Sequence, residues 1–176
     1  MCNNGALIKY DIRKEILKGI SSSQVGALVT VNGAVWCTIR DSLFRYDDQT
    51  DSLRFLRKLN TPPIWCIEKV GDRIWIGTAK GLYLFESNKV RCVLPNVEIF
   101  SLFVSSRQEL WIASRMKGLY RIDRNGVLKK EEKSGSRVVS EQIRDFIEDD
   151  QHNIWFGTFD GLQVYNPYSD TYSFVS

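Results

Sequence analysis

Apolar residues along this chain fall in short runs broken by polar, turn-forming stretches, and the runs recur. Val25 to Val31, Ile64 to Val70, Ile99 to Val104 and Ile143 to Ile147 form one set. Asn32-Gly33, Gly71-Asp72, Ser105 to Gln108 and Asp149 to Asn153 follow them as turns. A second apolar run then opens on an aliphatic–tryptophan pair: Val35-Trp36, Ile74-Trp75, Leu110-Trp111 and Ile154-Trp155. These four tryptophans lie 39, 36 and 44 residues apart. No longer window holds a 3.6-residue period without a turn signal, so helix is disfavoured. Runs such as Leu82 to Phe85 are apolar at both parities. That is the pattern of strands covered on both faces of a sheet.

Behind each tryptophan stands one phrase. Trp75-Ile76-Gly77-Thr78-Ala79-Lys80-Gly81-Leu82 is matched by Trp155-Phe156-Gly157-Thr158-Phe159-Asp160-Gly161-Leu162. The third copy, from Trp111 to Leu119, is one residue longer, and the first, from Trp36, is the most eroded. Ala113 and Thr38 replace the first glycine, so small size rather than positive φ is the demand there. Ser42 replaces the second, which marks a turn that glycine eases without being indispensable. Asn125-Gly126 predicts a tight hairpin with both central residues at positive φ. Each unit reads as four short antiparallel strands, A to D, in about 40 residues, the signature of a β-propeller blade. The chain divides into a partial blade (1–20) and blades at 21–59, 60–95, 96–139 and 140–176. The expected fold is thus all-β, about four and a half blades in an incomplete or open ring. Open terminal blades expose apolar faces, and self-association, or a piece cut from a larger protein, is expected.

Composition narrows this little. The 176 residues are 43% hydrophobic and 26% charged, with four prolines, as in a globular domain. Twenty-four basic against twenty-one acidic residues leave +3, too small an excess to argue for nucleic acid or an anionic membrane. No apolar run is long enough to span a bilayer, and the charged stretch Asp11 to Glu15 excludes a secretory signal within residues 1–20.

The phrase apolar-Trp-Ile-Gly-Thr-x-x-Gly-Leu-x-x-Tyr, preceded by Ile-x-x-Phe-Ile-Glu-Asp, resembles the two-component regulator propeller repeat. Ile143 to Asp149 running into Trp155 to Tyr165 carries the likeness best. It extends over essentially the whole chain, specific in units two and four, fair in three and weak in one. In that family the repeats build seven-bladed propellers in the periplasmic sensor region of membrane histidine kinases. Many are hybrid two-component sensors of Bacteroides-type bacteria that detect oligosaccharides and switch on polysaccharide-use genes. The resemblance implies a periplasmic, non-enzymatic piece of such a sensor, with oligosaccharide and neighbouring blades or domains of the parent as partners. No membrane contact by this segment is expected. A protein-interaction scaffold without small ligand is the alternative. A propeller lyase similar to streptogramin-inactivating enzymes is disfavoured, since that class relies on histidine and a metal.

The candidate chemistry is sparse. His152, the one histidine, reads as a solvated turn residue beside Asp149 and Asp150, so no catalytic residue is assigned. The acidic cluster Glu148 to Asp150 lacks the alternating oxygen ligands and glycine of a calcium loop. Without a C-x-x-C pair zinc is not expected either, and no cofactor is. Cys37, Cys66 and Cys92 fall in apolar runs and are expected as buried thiols. In an oxidising compartment they and Cys2 allow three pairings. The repeated tryptophans are core, because a residue at the same place in every blade packs between blades. Trp65 stands apart, near the start of strand A, where Phe100-Ser101 and Arg144-Asp145 occupy the equivalent places. Strand A of a propeller lines the central channel, and the D–A and B–C connections share one face. The ligand-binding candidates are therefore Trp65, Arg144 and Asp145, with Arg40, Lys80, Arg115, Lys117 and Asp160 from the B–C loops. Ordinary solvated loops are the plain alternative. The mixed-charge stretch from Lys129 to Arg137 is expected as a mobile insertion.

Overall fold

The computed structural model describes residues 2–3, 6–131 and 141–175. Strands β1 (Cys2–Asn3), β2 (Ala6–Asp11) and β3 (Ile16–Ser21) form a three-stranded leading sheet. Four antiparallel sheets of four strands follow, each in simple meander order. Blade I holds β4 (Leu28–Val31), β5 (Ala34–Ile39), β6 (Ser42–Asp47) and β7 (Ser52–Lys58). Blade II holds β8 (Ile64–Val70), β9 (Arg73–Thr78), β10 (Gly81–Glu86) and β11 (Lys89–Pro95). Blade III holds β12 (Ile99–Val104), β13 (Leu110–Ser114), β14 (Leu119–Ile122) and β15 (Leu128–Glu131). Blade IV holds β16 (Ile143–Glu148), β17 (Ile154–Thr158), β18 (Gly161–Asn166) and β19 (Thr171–Val175). No helix occurs among the described residues.

The core lies between blades. Strand A of each blade meets strand A of the next, β4 on β8, β8 on β12 and β12 on β16. Trp75, Leu82 and Leu84 of blade II pack against Val97, Ile99, Leu110 and Ile112 of blade III. Trp111 and Leu119 pack against Ile143, Phe146 and Phe156 of blade IV. Ile76 is backed by Val31 and Leu43 of blade I, and Leu7 of the leading sheet meets Val25 and Cys37. This explains apolarity at both parities: odd and even residues of a strand serve different seams. Burying one such tryptophan or leucine removes about 1.5–3 kcal/mol worth of apolar surface from water. Gly77 shows how tight a seam is. A Cβ there would stand 2.3 Å from Cys66 Sγ and 2.6 Å from Ile99 Cγ2.

The series does not close into a ring. Its ends therefore show what the inner seams hide. Leu162 in blade IV is 40% exposed, whereas Leu82, its counterpart in blade II, is 0% exposed. Ile147 is 66% exposed on the same sheet, and Tyr10 and Leu17 are uncovered on the leading sheet.

Several expectations change. The partial blade contributes a short third strand, β1, beside the two expected, and runs to Ser21. Val25 to Ala27 is not strand, although Gly26 N–H and Ala27 C=O still bond the two sides of Thr38. The Asn125-Gly126 turn has positive φ only at Gly126, since Asp123 accepts the N–H groups of Asn125 and Val127 and makes a longer loop the better closed one. Lys129 to Glu131 belong to strand β15 rather than to an insertion, paired to Tyr120 and its neighbours; the rest of that stretch lies outside the described residues. Cys37 is buried, but Cys92 is exposed because it lies on an outermost strand D. Cys66 and Cys92 are free thiols, and the side chain of Cys2 lies outside the described part.

Candidate functional site

Strand A enters each of blades II to IV through the same irregularity. Ile64 pairs with Thr78 and Cys66 with Gly77, leaving Trp65 without an opposite number. Phe100 is skipped likewise between Ile99 and Ser101, and Arg144 between Ile143 and Asp145. Each is the extra residue of a β-bulge, which re-aims its side chain out of the pleat. The isoleucine before it stays in the seam: Ile64, Ile99 and Ile143 are all at most 3% exposed. Trp65 and Phe100 are both 39% exposed, on the end of the blades that also carries the B–C turns.

Those turns are held stiffly. Thr78 Oγ donates to the Gly81 carbonyl at 3.0 Å and accepts the Lys80 N–H at 3.1 Å. Ser114 repeats the staple with Gly118 and Lys117, and Thr158 with Gly161 and Asp160. Where Ser42 replaces glycine in blade I, positive φ moves to Arg40. Each of these turns is also stitched to a D–A connection, that of the next blade at Arg40 and that of its own blade at Arg115 and Phe159. Ile64 N–H bonds to the Arg40 carbonyl, Arg115 N–H to Glu98, and Phe159 N–H to Gln142.

The result is a continuous apolar and cationic wall. A groove of about 1120 Å³ is lined by Gln24, Val25, Arg40, Pro63, Trp65 and Phe100. A smaller recess of about 180 Å³ is lined by Phe100, Arg115, Met116, Gln142, Arg144 and Phe159. Phe100 is common to both. The Arg144 guanidinium lies over the Phe100 ring at 5.2 Å and over the Phe159 ring at 4.5 Å. Such cation–π contacts hold a guanidinium without using its N–H donors. Among the described residues, no carboxylate or hydrogen-bond acceptor pairs with Arg144.

Of the sequence-based candidates, Arg40 and Trp65 thus line the groove, and Arg115 and Arg144 the recess. Arg115 is engaged by Glu98 at 3.4 Å. Lys80, Lys117, Asp145 and Asp160 line neither space. Lys117 is tied to the Asn96 carbonyl at 2.9 Å, and Asp145 accepts the N–H of Phe146. Asp145 stands opposite Gly157 as Cys66 stands opposite Gly77, but in blade IV that side of the strand is the uncovered face and Asp145 is exposed. Phe100, Met116 and Phe159 are contributors whose part the sequence reading did not assign. The bulges explain why: pairing register, not residue type, brings Phe100 into line with Trp65 and Arg144.

At the opposite ends of the strands, the A–B turns of blades III and IV are clasped together. Ser106 gives its N–H (2.6 Å) and its hydroxyl to Glu148. His152 Nδ1 lies 3.0 Å from both Ser106 Oγ and Glu148 Oε1. A nucleophilic relay needs hydroxyl and carboxylate on different ring nitrogens, so this is a clasp and not a triad. Burial works against the Glu148 charge, yet the Ser106 and His152 hydrogen bonds hold its pKa below the usual value. Asp149 accepts the Trp155 Nε1–H at 2.7 Å and Asn153 groups besides, which pushes its pKa down to about 2. His152 is therefore a bound turn residue, not a merely solvated one.

Comparison with known proteins follows the same lines. Residues 138–160 match the family model of the two component regulator propeller. No curated protein matches the chain. Among solved structures, the extracellular domain assigned to hybrid two component system BT4673 of B. thetaiotaomicron superposes with a TM-score of 0.76 at 20% identity, over 99% of this chain and 25% of that one. That of BT3049 from the same organism gives 0.72 at 20% identity, over 98% and 27%. Streptogramin B lyase gives 0.62 at 12% identity, over 86% and 54%. At these identities the likeness is one of fold. The chain spans about a quarter of the length of the two B. thetaiotaomicron domains.

Proposed function

We propose that this chain, which carries a two component regulator propeller repeat, is a non-catalytic sensing segment of the extracytoplasmic, periplasmic propeller of a two-component sensor kinase. In this reading the end bearing the B–C turns takes an oligosaccharide. The observation that carries it is the alignment of Trp65, Phe100 and Arg144 by three equivalent bulges into one wall. A flat wall of aromatic edges and faces, with a few fixed polar groups, is what a sugar ring stacks on. Signal would pass through blade seams. A ligand spanning blades II to IV prefers one relative arrangement of them, and only that preference can bias a linked kinase. The histidine on which a lyase of this fold would draw lies at the far ends of the strands, clasped to Glu148, which favours sensing over lysis.

A glycan array probed with the chain, beside a variant combining Trp65→Ala and Arg144→Ala, tests this. The expected result is saccharide capture by the parent and its loss by at least about tenfold in the variant, equivalent to about 1.4 kcal/mol. Capture that survives both substitutions places the site elsewhere. A protein partner recovered on the same wall, with no glycan retained, favours the scaffold reading.

A further inference from the structure

The groove and recess together contain two kinds of wall, aromatic and cationic, and no carboxylate among the described residues lines either. The cations are not equivalent. Arg115 is paired with Glu98, and it lines the recess with its charge already answered. Arg144 is held in place by two rings, at 5.2 and 4.5 Å, and among the described residues no acceptor takes the N–H edge of its guanidinium. The main chain at Phe159 is itself fixed, since its N–H bonds to the carbonyl of Gln142, two residues before Arg144. The bulge at Arg144 fixes the other end of the side chain. A guanidinium immobilised in this way has met the ordering cost of binding in advance. Its planar fork of donors matches two coplanar oxygens.

We propose that Arg144, steadied by Phe100 and Phe159, is a carboxylate receptor, and that the class of ligand for this wall is an acidic saccharide, one bearing a uronic acid. The inference rests on the saccharide reading above and narrows it. The sugar ring lies along Phe100 toward Trp65, its carboxylate meets the Arg144 edge, and Arg40 adds an unclamped positive charge at the far end of the groove. Because the pair is open to solvent on one side, salt weakens it.

Nuclear magnetic resonance of the Arg144 Nε–H separates the two layers of the claim. Three probes are titrated into the full chain: sodium acetate, a galacturonate oligomer, and the corresponding neutral galactose oligomer. The expected result is a saturable shift with acetate and a response at least about tenfold tighter with the galacturonate oligomer. The galactose oligomer leaves the Arg144 signal unmoved, and the galacturonate response weakens as sodium chloride is raised. Arg144→Gln abolishes galacturonate binding, and Phe159→Ala, at a largely exposed position, weakens it. If galactose and galacturonate bind equally, the carboxylate inference fails while the saccharide reading stands. If acetate binds and neither oligomer improves on it, the saccharide reading fails. If the Arg144 signal responds to none of the three, both fall.

Discussion

Gly77 and Gly157 occupy the same place in their blades and meet opposite surroundings. At Gly77 a methyl group would collide with Cys66 Sγ and Ile99 Cγ2, whereas at Gly157 nothing lies within 4 Å. Neither has positive φ, so the requirement is one of space and not of backbone freedom. Gly77→Ala is therefore expected to destabilise the chain by about 1–3 kcal/mol through overpacking. Gly157→Ala should change it by less than about 0.5 kcal/mol, as at an ordinary open position. Urea midpoints of the two variants check this, and equal midpoints would show that the seam at Gly77 is looser than its geometry. The need for a small residue was legible in the substitution of Ala113 and Thr38 at this position. The difference between Gly77 and Gly157 was not, because it depends on whether another sheet lies alongside.

At the scale of elements, the recurrent hairpin is the A–B turn, and blade IV ties its own with Asp149. That carboxylate accepts the Trp155 indole and the Asn153 groups, and its pKa falls to about 2 from an ordinary 3.8. A depressed carboxylate contributes stability that is complete above its unfolded value and is lost as pH falls through the folded one. The hairpin should accordingly weaken between about pH 4 and pH 2, and Asp149→Asn should flatten that part of the profile. Tryptophan fluorescence during urea unfolding at about pH 5 and about pH 2.5 measures it; an unaltered acid slope in Asp149→Asn would remove Asp149 from the account. Strand order and most turn positions were readable from spacing alone, since apolar period and turn residues are local properties. The bulges were not. A residue skipped in a ladder looks like any other in the chain, and only its partner strand reveals it.

For the whole molecule, the open ends dominate. Ile147 and Leu162 on blade IV, and Tyr10 and Leu17 on the leading sheet, are exposed where inner blades bury their counterparts or pack a neighbour. Apolar faces of this kind promote association. Sedimentation velocity should show concentration-dependent oligomers of the chain, and Ile147→Glu with Leu162→Glu should shift them toward monomer. A monomer at all concentrations before substitution would count against association through these faces. The clasp of Ser106, Glu148 and His152 and the stapled B–C turns act at opposite ends of the blades. Between them they keep blades III and IV in one relation, which is the relation a ligand on the Arg144 wall would sense.

The repeat of apolar runs, tryptophans and turns was sufficient to determine a meander of four-stranded sheets, their number and their order, because strand period, turn chemistry and two-sided burial are written in neighbouring residues. It also pointed to Trp65 and Arg144 as departures from the repeat. What sequence could not decide was which departures share a surface. That Phe100 joins them, that Arg144 is held over two rings with no acceptor among the described residues on its donors, and that Asp145 stands aside on the uncovered face of blade IV follow from pairing register and from how successive blades stack. Those are relations between residues far apart in the chain, and they come into being only when the sheets stack.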